Sequence, residues 1–259
     1  MNYNYHAHTW RCGHATGTEE EYIRFAVENG IKYMGFSDHA PFVFPDGYQS
    51  SFRVKQEEAP GYIALLRELR EKYKGQIDLK IGFEMEYYPA YFDAMLQNVK
   101  DLGAEYLILG QHFLYSEHPD GLPSGRETDD VEHLREYVRC VVKGIESGIF
   151  TYVAHPDLIR YNGDAEKYRE EMRKICIAAR EHNVPLEINF LGIREERHYP
   201  AAAFWPIVAE EQAPVTFGFD AHDTAVAYDG ASLAVAEEMV NTYGLNYIGM
   251  PKVVSIQKI

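Results

Sequence analysis

Cysteine is scarce in this 259-residue chain. There are three, Cys12, Cys140 and Cys176, an odd number without CxxC spacing, which argues against a disulfide framework or a structural zinc site built on thiolates. A reducing cytoplasm is the expected setting. Long apolar runs are missing too: none approaches the roughly 18 residues a membrane span needs, and the opening MNYNYHAHTW lacks the basic and apolar regions of an export signal. No export or membrane anchoring is expected. Basic residues are outnumbered, 25 against 40 acidic, for a formal charge of -15. No local basic patch reverses that balance, which argues against nucleic acid as a partner. No stretch is rich enough in Pro, Gly or Ser to act as a linker, so residues 1–259 read as one domain with 46% hydrophobic residues to bury.

What is present is a repeated alternation of short β-rich runs with longer amphipathic stretches. Strands are expected near 2–6, 32–37, 77–84, 105–110, 150–154, 185–190 and 214–219. Helices are expected near 18–29, 56–74, 90–101, 129–147, 164–182, 201–211 and 230–243. In the fourth helix Leu134, Tyr137, Val138, Val141, Val142 and Ile145 form one apolar stripe at helical spacing, which reads as core packing. Two connections, 38–55 and 111–128, are longer than barrel loops usually are and rich in aromatics, Gly and Pro. Long loops after strands are where β/α barrels keep substrate contacts.

Seven of the eleven histidines fall at or just past expected strand ends: His6, His8 and His14 after the first, His39 after the second, His112 after the fourth, His155 after the fifth and His222 after the seventh. Glu84 ends the third strand, and Asp38 and Asp220 stand in SDH and DAH. In a barrel all these positions converge on one face. The two histidines of HAHT are two apart on a strand, so their side chains share a face and can chelate one ion; Asp220 and His222 repeat the geometry. Neutral imidazoles suit zinc, iron or manganese, and a carboxylate such as Glu84 can bridge two ions. The donors exceed what one tetrahedral ion can use, so more than one ion is implied. His118, His133, His182 and His198 read as ordinary surface or loop residues, and Cys12 as a loop residue beside the cluster.

HAHT, His14, SDH, GFE, QH, AHPD and DAH occur in the order found in the PHP (polymerase and histidinol phosphatase) superfamily, which the chain resembles along its whole length. The resemblance implies a distorted seven-stranded (β/α)7 TIM-like barrel with a trinuclear centre. One ion would take His6, His8, Glu84 and Asp220; a second would share Glu84 and add His112 and His155; a third would take His14, His39 and His222. Within the superfamily the chain is most similar to histidinol-phosphate phosphatases of histidine biosynthesis, through its size, the long loop after SDH, AHPDLIR around Arg160, and EINFLGIREERHYP around Arg194 and Arg197.

That likeness implies hydrolysis of a small phosphate monoester, L-histidinol phosphate, by a hydroxide bridging divalent zinc, manganese or iron. Arg160 and Arg197, with Arg194 third, are the expected phosphate contacts. Asp38 would orient a ligand histidine or move a proton. Tyr115 and Glu117 are candidates for the substrate's ammonium or imidazole, by position alone. A homo-oligomer is compatible with all of this. Among other readings, an amidohydrolase would need a lysine after the fourth strand, where GQH offers none. A phosphodiesterase or nuclease fits poorly with the negative charge, and a catalytically silent metal-binding regulator fits poorly with an intact ligand set.

Overall fold

The structure, a computed structural model, describes residues 1–258. Strands and helices alternate from the start: β1 (Tyr3–Asn4), α1 (Glu19–Glu28), β2 (Tyr33–His39), α2 (Ala59–Lys72), β3 (Asp78–Met85), α3 (Phe92–Leu102), β4 (Tyr106–Leu109), α4 (Val131–Glu146) and β5 (Phe150–Val153). The second half continues with α5 (Ala165–His182), β6 (Leu186–Asn189), α6 (Phe190–Arg194), α7 (Trp205–Glu211), β7 (Pro214–Gly218), α8 (Gly230–Tyr243) and β8 (Asn246–Tyr247). All eight strands pair in parallel and in sequence order within one sheet. The sheet curls until its far ends approach: an isolated parallel bridge joins Ala7 to Ala221, with the His8 amide donating to the Ala221 carbonyl at 2.9 Å.

The count corrects the expected seven strands to eight. The addition, β8, pairs Asn246 with Pro214 and Tyr247 with Val215; two residues are too few to show any periodicity. A second correction is α6. The run expected to remain extended to residue 190 stops at Asn189, whose side chain accepts from the Gly192 amide and caps a one-turn helix. Elsewhere local chemistry agrees with the tertiary arrangement. Thr18 and Glu21 form a capping box on α1, Asp130 caps α4 and Asp164 caps α5.

Alternation along each strand sorts side chains between two cores. In β4, Leu107 and Leu109 join the large outer core under the helices, while Tyr106 and Ile108 join an inner cluster with Tyr3, Tyr5, Tyr152 and Ala154. Room for the Tyr106 ring comes from Gly35 and Gly82, where a Cβ would overlap its phenol and ring atoms. The tyrosine hydroxyl donates to the Tyr5 carbonyl at 2.9 Å. Tyrosines thus plug the inside of the curled sheet towards the strands' N-terminal ends, and the C-terminal ends are left for polar side chains.

Gly35→Ala is therefore expected to destabilise the fold by about 1–3 kcal/mol through overpacking against Tyr106. Urea unfolding followed by circular dichroism checks this; an unchanged midpoint would mean that the tyrosine layer has slack.

Candidate metal centre

Glu84, at the end of β3, stands in the middle of the histidine cluster. Its Oε2 lies 3.5 Å from His6 Nε2 and 3.4 Å from both His8 Nε2 and His39 Nδ1. Its Oε1 lies 2.9 Å from His155 Nε2 and 3.4 Å from His112 Nε2. Asp220 Oδ1 forms a second hub, 3.5 Å from His6 Nε2 and 3.3 Å from both His8 Nε2 and His222 Nδ1. At the rim His14 Nε2 is 2.9 Å from His222 Nε2. All nine expected ligands, spread over residues 6–222, are thus brought into one cluster.

Few of these approaches are hydrogen bonds. His6 Nε2, both ring nitrogens of His8, His39 Nδ1, both Glu84 oxygens and Asp220 Oδ1 are buried without a hydrogen-bond partner. So many orphaned polar atoms would be costly in a finished core. The spacings suit a different use, since donors about 2.1 Å from a tetrahedral ion lie about 3.4 Å from one another. Four sets can each converge on one point: His6, His8 and Glu84; His6, His155 and Asp220; His39, Glu84 and His112; His14, His39 and His222. A fifth joins Cys12 to His8 and His222, beside the cluster as expected. The donor set fits divalent cations.

Electrostatics point the same way. Burial alone would raise Glu84 and Asp220, yet His112 and His6 against Glu84, and His6, His222 and His8 against Asp220, hold both carboxyls well below their usual range. Burial would lower His8, but Asp220, Asp38 and Glu84 push it up to about 9. His39 is held well below its ordinary value by burial and by the neighbouring His8. The pocket stabilises carboxylates that demand positive charge, and protons on the imidazoles are the only source within the chain's own cluster.

A further ring of groups orients this set. His6 Nδ1 donates to Glu187 Oε1 at 2.8 Å, and Glu187 Oε2 accepts from the His155 amide at 3.0 Å and from Asn189 Nδ2 at 2.8 Å. Asn189 Nδ2 also donates to Asp220 Oδ2 at 3.0 Å. His112 Nδ1 donates to Glu86 Oε1 at 2.7 Å. Glu187, Asn189 and Glu86 were not singled out from sequence. Their signal is the two-residue spacing that marks His6 and His8: Glu84 with Glu86, and Glu187 with Asn189, are polar pairs inside buried strand ends. Asp38 accepts from the Thr9 amide at 3.1 Å and from the Thr9 hydroxyl, and stands 3.6 Å from His8 Nδ1, beyond hydrogen-bond reach. His155 and Asp220 both have positive φ, 30° and 47°, a strained backbone of the kind that persists where surroundings over-determine it. Gly110 and Gly218 leave space that a Cβ would take from Glu84 Oε1 and Glu187 Oε1 respectively.

The cluster opens onto a cavity of about 450 Å³. His14, His39, Glu84, His112, His155, Asp220 and His222 make its polar floor; Phe52, Phe113, Pro123, Leu158 and Leu191 make an apolar wall; Glu195, Arg197 and Tyr199 complete the rim. Of the three expected arginines only Arg197 lines this space. Arg197 is bound sideways to Glu195 Oε2 (2.9 and 2.7 Å) and to the Tyr199 hydroxyl (3.0 Å). Arg194 turns to Asp229 at 2.8 Å and to the Asp220 carbonyl at 3.4 Å. Arg160 lines a separate hollow with Tyr161, Tyr168 and Arg169, and stands 3.4 Å from Glu127. The loop after His155 carries it past the rim. Tyr115 is 54% exposed away from the cavity, and Glu117 is buried against Arg53, Ser50 and Tyr88.

Gly110→Ala is expected to displace the Glu84 carboxylate and weaken cation uptake by about 10- to 100-fold, the scale seen when ligand orientation is lost. Elemental analysis after dialysis against limiting zinc, beside an unchanged far-ultraviolet spectrum, checks it; full zinc uptake would show that Glu84 is dispensable.

Comparison with known proteins places this geometry in a family. The PHP domain profile matches residues 4–190. The protein named "Probable histidinol-phosphatase" from Deinococcus radiodurans is 28% identical over 222 residues, 84% of this chain and 85% of that protein. The "Histidinol-phosphatase" of Bacillus subtilis is 26% identical over 261 residues, 86% of this chain and 96% of its own. Among solved structures, histidinol phosphate phosphatase from Lactococcus lactis, crystallised with zinc, L-histidinol and phosphate, superposes with a TM-score of 0.71 at 19% identity, covering 99% of this chain and 97% of that one. At that identity the likeness concerns the fold. With a match spanning most of its length, and with the strand-end histidines and carboxylates gathered into one cluster, the chain belongs to the PHP domain family.

Proposed function

We propose that this chain is a metal-dependent phosphomonoesterase that hydrolyses L-histidinol phosphate to L-histidinol and phosphate. The observation that carries the reading is the set of buried, unpartnered imidazole and carboxylate atoms at the floor of a cavity whose opposite wall is apolar. A phosphate needs the first, and a flat heteroaromatic group can lie on the second. The names of the relatives, and the zinc, L-histidinol and phosphate held by the Lactococcus lactis enzyme, agree with it.

His6, His8, Glu84 and Asp220 would hold one ion, Glu84, His112 and His155 a second, and His14, His39 and His222 a third. Zinc, manganese and iron all suit these ligands. Bound there, such ions lower the pKa of coordinated water towards neutrality and offset the charge of the phosphoryl oxygens. The protein supplies the rest. Glu187 and Glu86 set the tautomer and aim of His6 and His112, and Asp38 lies beside His8 Nδ1. Arg197, on the rim, can exchange Glu195 for a phosphate oxygen and keep its bond to Tyr199. The face of Phe52 and Phe113, whose rings stack 5.8 Å apart, suits an imidazole, and Glu195 suits an ammonium. A net charge of -15 is no obstacle to a dianion, because the local field at the floor decides binding there.

Phosphate release from a panel of phosphomonoesters, with zinc counted per chain, tests this reading. Histidinol phosphate should head the panel with about three ions bound. Preference for a phosphodiester would overturn it. Chelation should abolish turnover, and added zinc or manganese should restore it. Arg197→Ala should lower kcat/KM for the preferred substrate by about 10- to 100-fold, because alanine offers the phosphate no charge-assisted hydrogen bond; an unchanged value would remove Arg197 from the site.

A further inference from the structure

Arg53 lies in the long connection between β2 and α2 and is 1% exposed. A guanidinium is always charged and carries five N–H donors, so complete burial demands that they be used. Nη1 donates to the Ala40 carbonyl at 3.0 Å, Nη2 to Glu86 Oε2 at 2.5 Å and also to Glu117 Oε2, and Nε to Glu117 Oε1 at 2.8 Å. Glu117 belongs to the other long connection, between β4 and α4, and accepts in addition from Ser50 and Tyr88.

One half of this arrangement is a staple. It ties the 38–55 segment to the 111–128 segment through Glu117, and nothing in it concerns the cavity floor. Glu86 does not belong to that half. Its second oxygen accepts from His112 Nδ1 at 2.7 Å, which leaves His112 Nε2 facing Glu84 Oε1 at 3.4 Å. Glu117, Arg53, Glu86, His112 and Glu84 therefore form one chain of contacts from the buried loop tie to the centre of the cluster, with His112 half-buried on the cavity wall. A single guanidinium set against two carboxylates leaves surplus negative charge, and the His112 N–H is the donor that answers it.

We infer that Arg53 is a positioning residue for the metal centre: through Glu86 it fixes the tautomer and aim of His112, so that seating the two long loops and completing the cation site at His112 are one event. The inference rests on the metal-centre reading given above. Lysine cannot take over the role, because one ammonium cannot span the Ala40 carbonyl, Glu86 and Glu117 as the planar fork does.

The test loads the full chain with zinc and titrates it with a chelator while counting zinc per chain, for the unaltered protein, Arg53→Lys and Glu86→Gln. In both variants one zinc equivalent should leave at about 10- to 100-fold lower chelator activity than in the unaltered protein, with the far-ultraviolet spectrum unchanged. If Arg53 is a staple alone, Arg53→Lys lowers the melting temperature of the metal-stripped protein while zinc retention is equal in all three, and the inference is overturned. Should Arg53→Lys fail to fold, Glu86→Gln decides, since it keeps the side chain's shape; zinc held as tightly as in the unaltered protein counts against the inference. Unaltered protein that takes up no zinc under any loading condition would sink the metal-centre reading, and this inference with it.

Discussion

Glu84 is a carboxylate taken wholly out of water and given no hydrogen-bond donor of its own. Five imidazoles approach it within 3.5 Å, and none of them satisfies it. A group in that state is tolerable only if positive charge is supplied from outside the chain, or if protons on the histidines stand in. Much of the surrounding architecture follows from keeping this one side chain in place. Gly110 gives it room, the tyrosine layer beneath closes the inside of the sheet, and the neighbouring strands bring the imidazoles to its level.

The curled parallel sheet makes this possible by turning sequence order into a ring. The strands' C-terminal ends and the segments just past them face one side, so a residue placed there meets residues more than two hundred positions away. The ring of orienting groups is built by the same rule one residue pair further on. Glu86, just past β3, lies two beyond Glu84 and supports His112, while β6 carries two supports, Glu187 and Asn189, two residues apart. The strained backbones of His155 and Asp220 fit this picture: both residues leave their strands by turning sharply at the level of the cluster, and packing and hydrogen bonds around them hold the turn.

The cavity carries both polar and apolar side chains, and on the proposed reading an acidic protein would still accept a phosphate ester there. Field lines in a narrow site follow the nearest charges, so cations held by the cluster would outweigh carboxylates scattered over the surface. Arg197 adds a positive charge to the cavity lining. Its partner Glu195 is exposed and easily exchanged, unlike Glu117, which is buried and committed to Arg53.

The nine metal-capable side chains were legible in the sequence because their signal is local: HAH and DAH pair donors two residues apart, and most of the nine lie at or just past the end of a strand. Helices α4 and α5 were legible for the same kind of reason, an apolar stripe with an Asp cap ahead of it. Side-chain direction within loops was not. Arg160 stands a few residues after the β5 metal candidate His155 yet faces another hollow, because the chain turns between them; Glu117, expected at the substrate, is buried against Arg53, which carried no signal in sequence. Periodicity of two or 3.6 residues is imprinted on the chain by the strand or helix that bears it, so the sequence by itself determined which residues converge. Pairings between two loops have no period, since each depends on where the other loop lies, and only the tertiary structure could decide them.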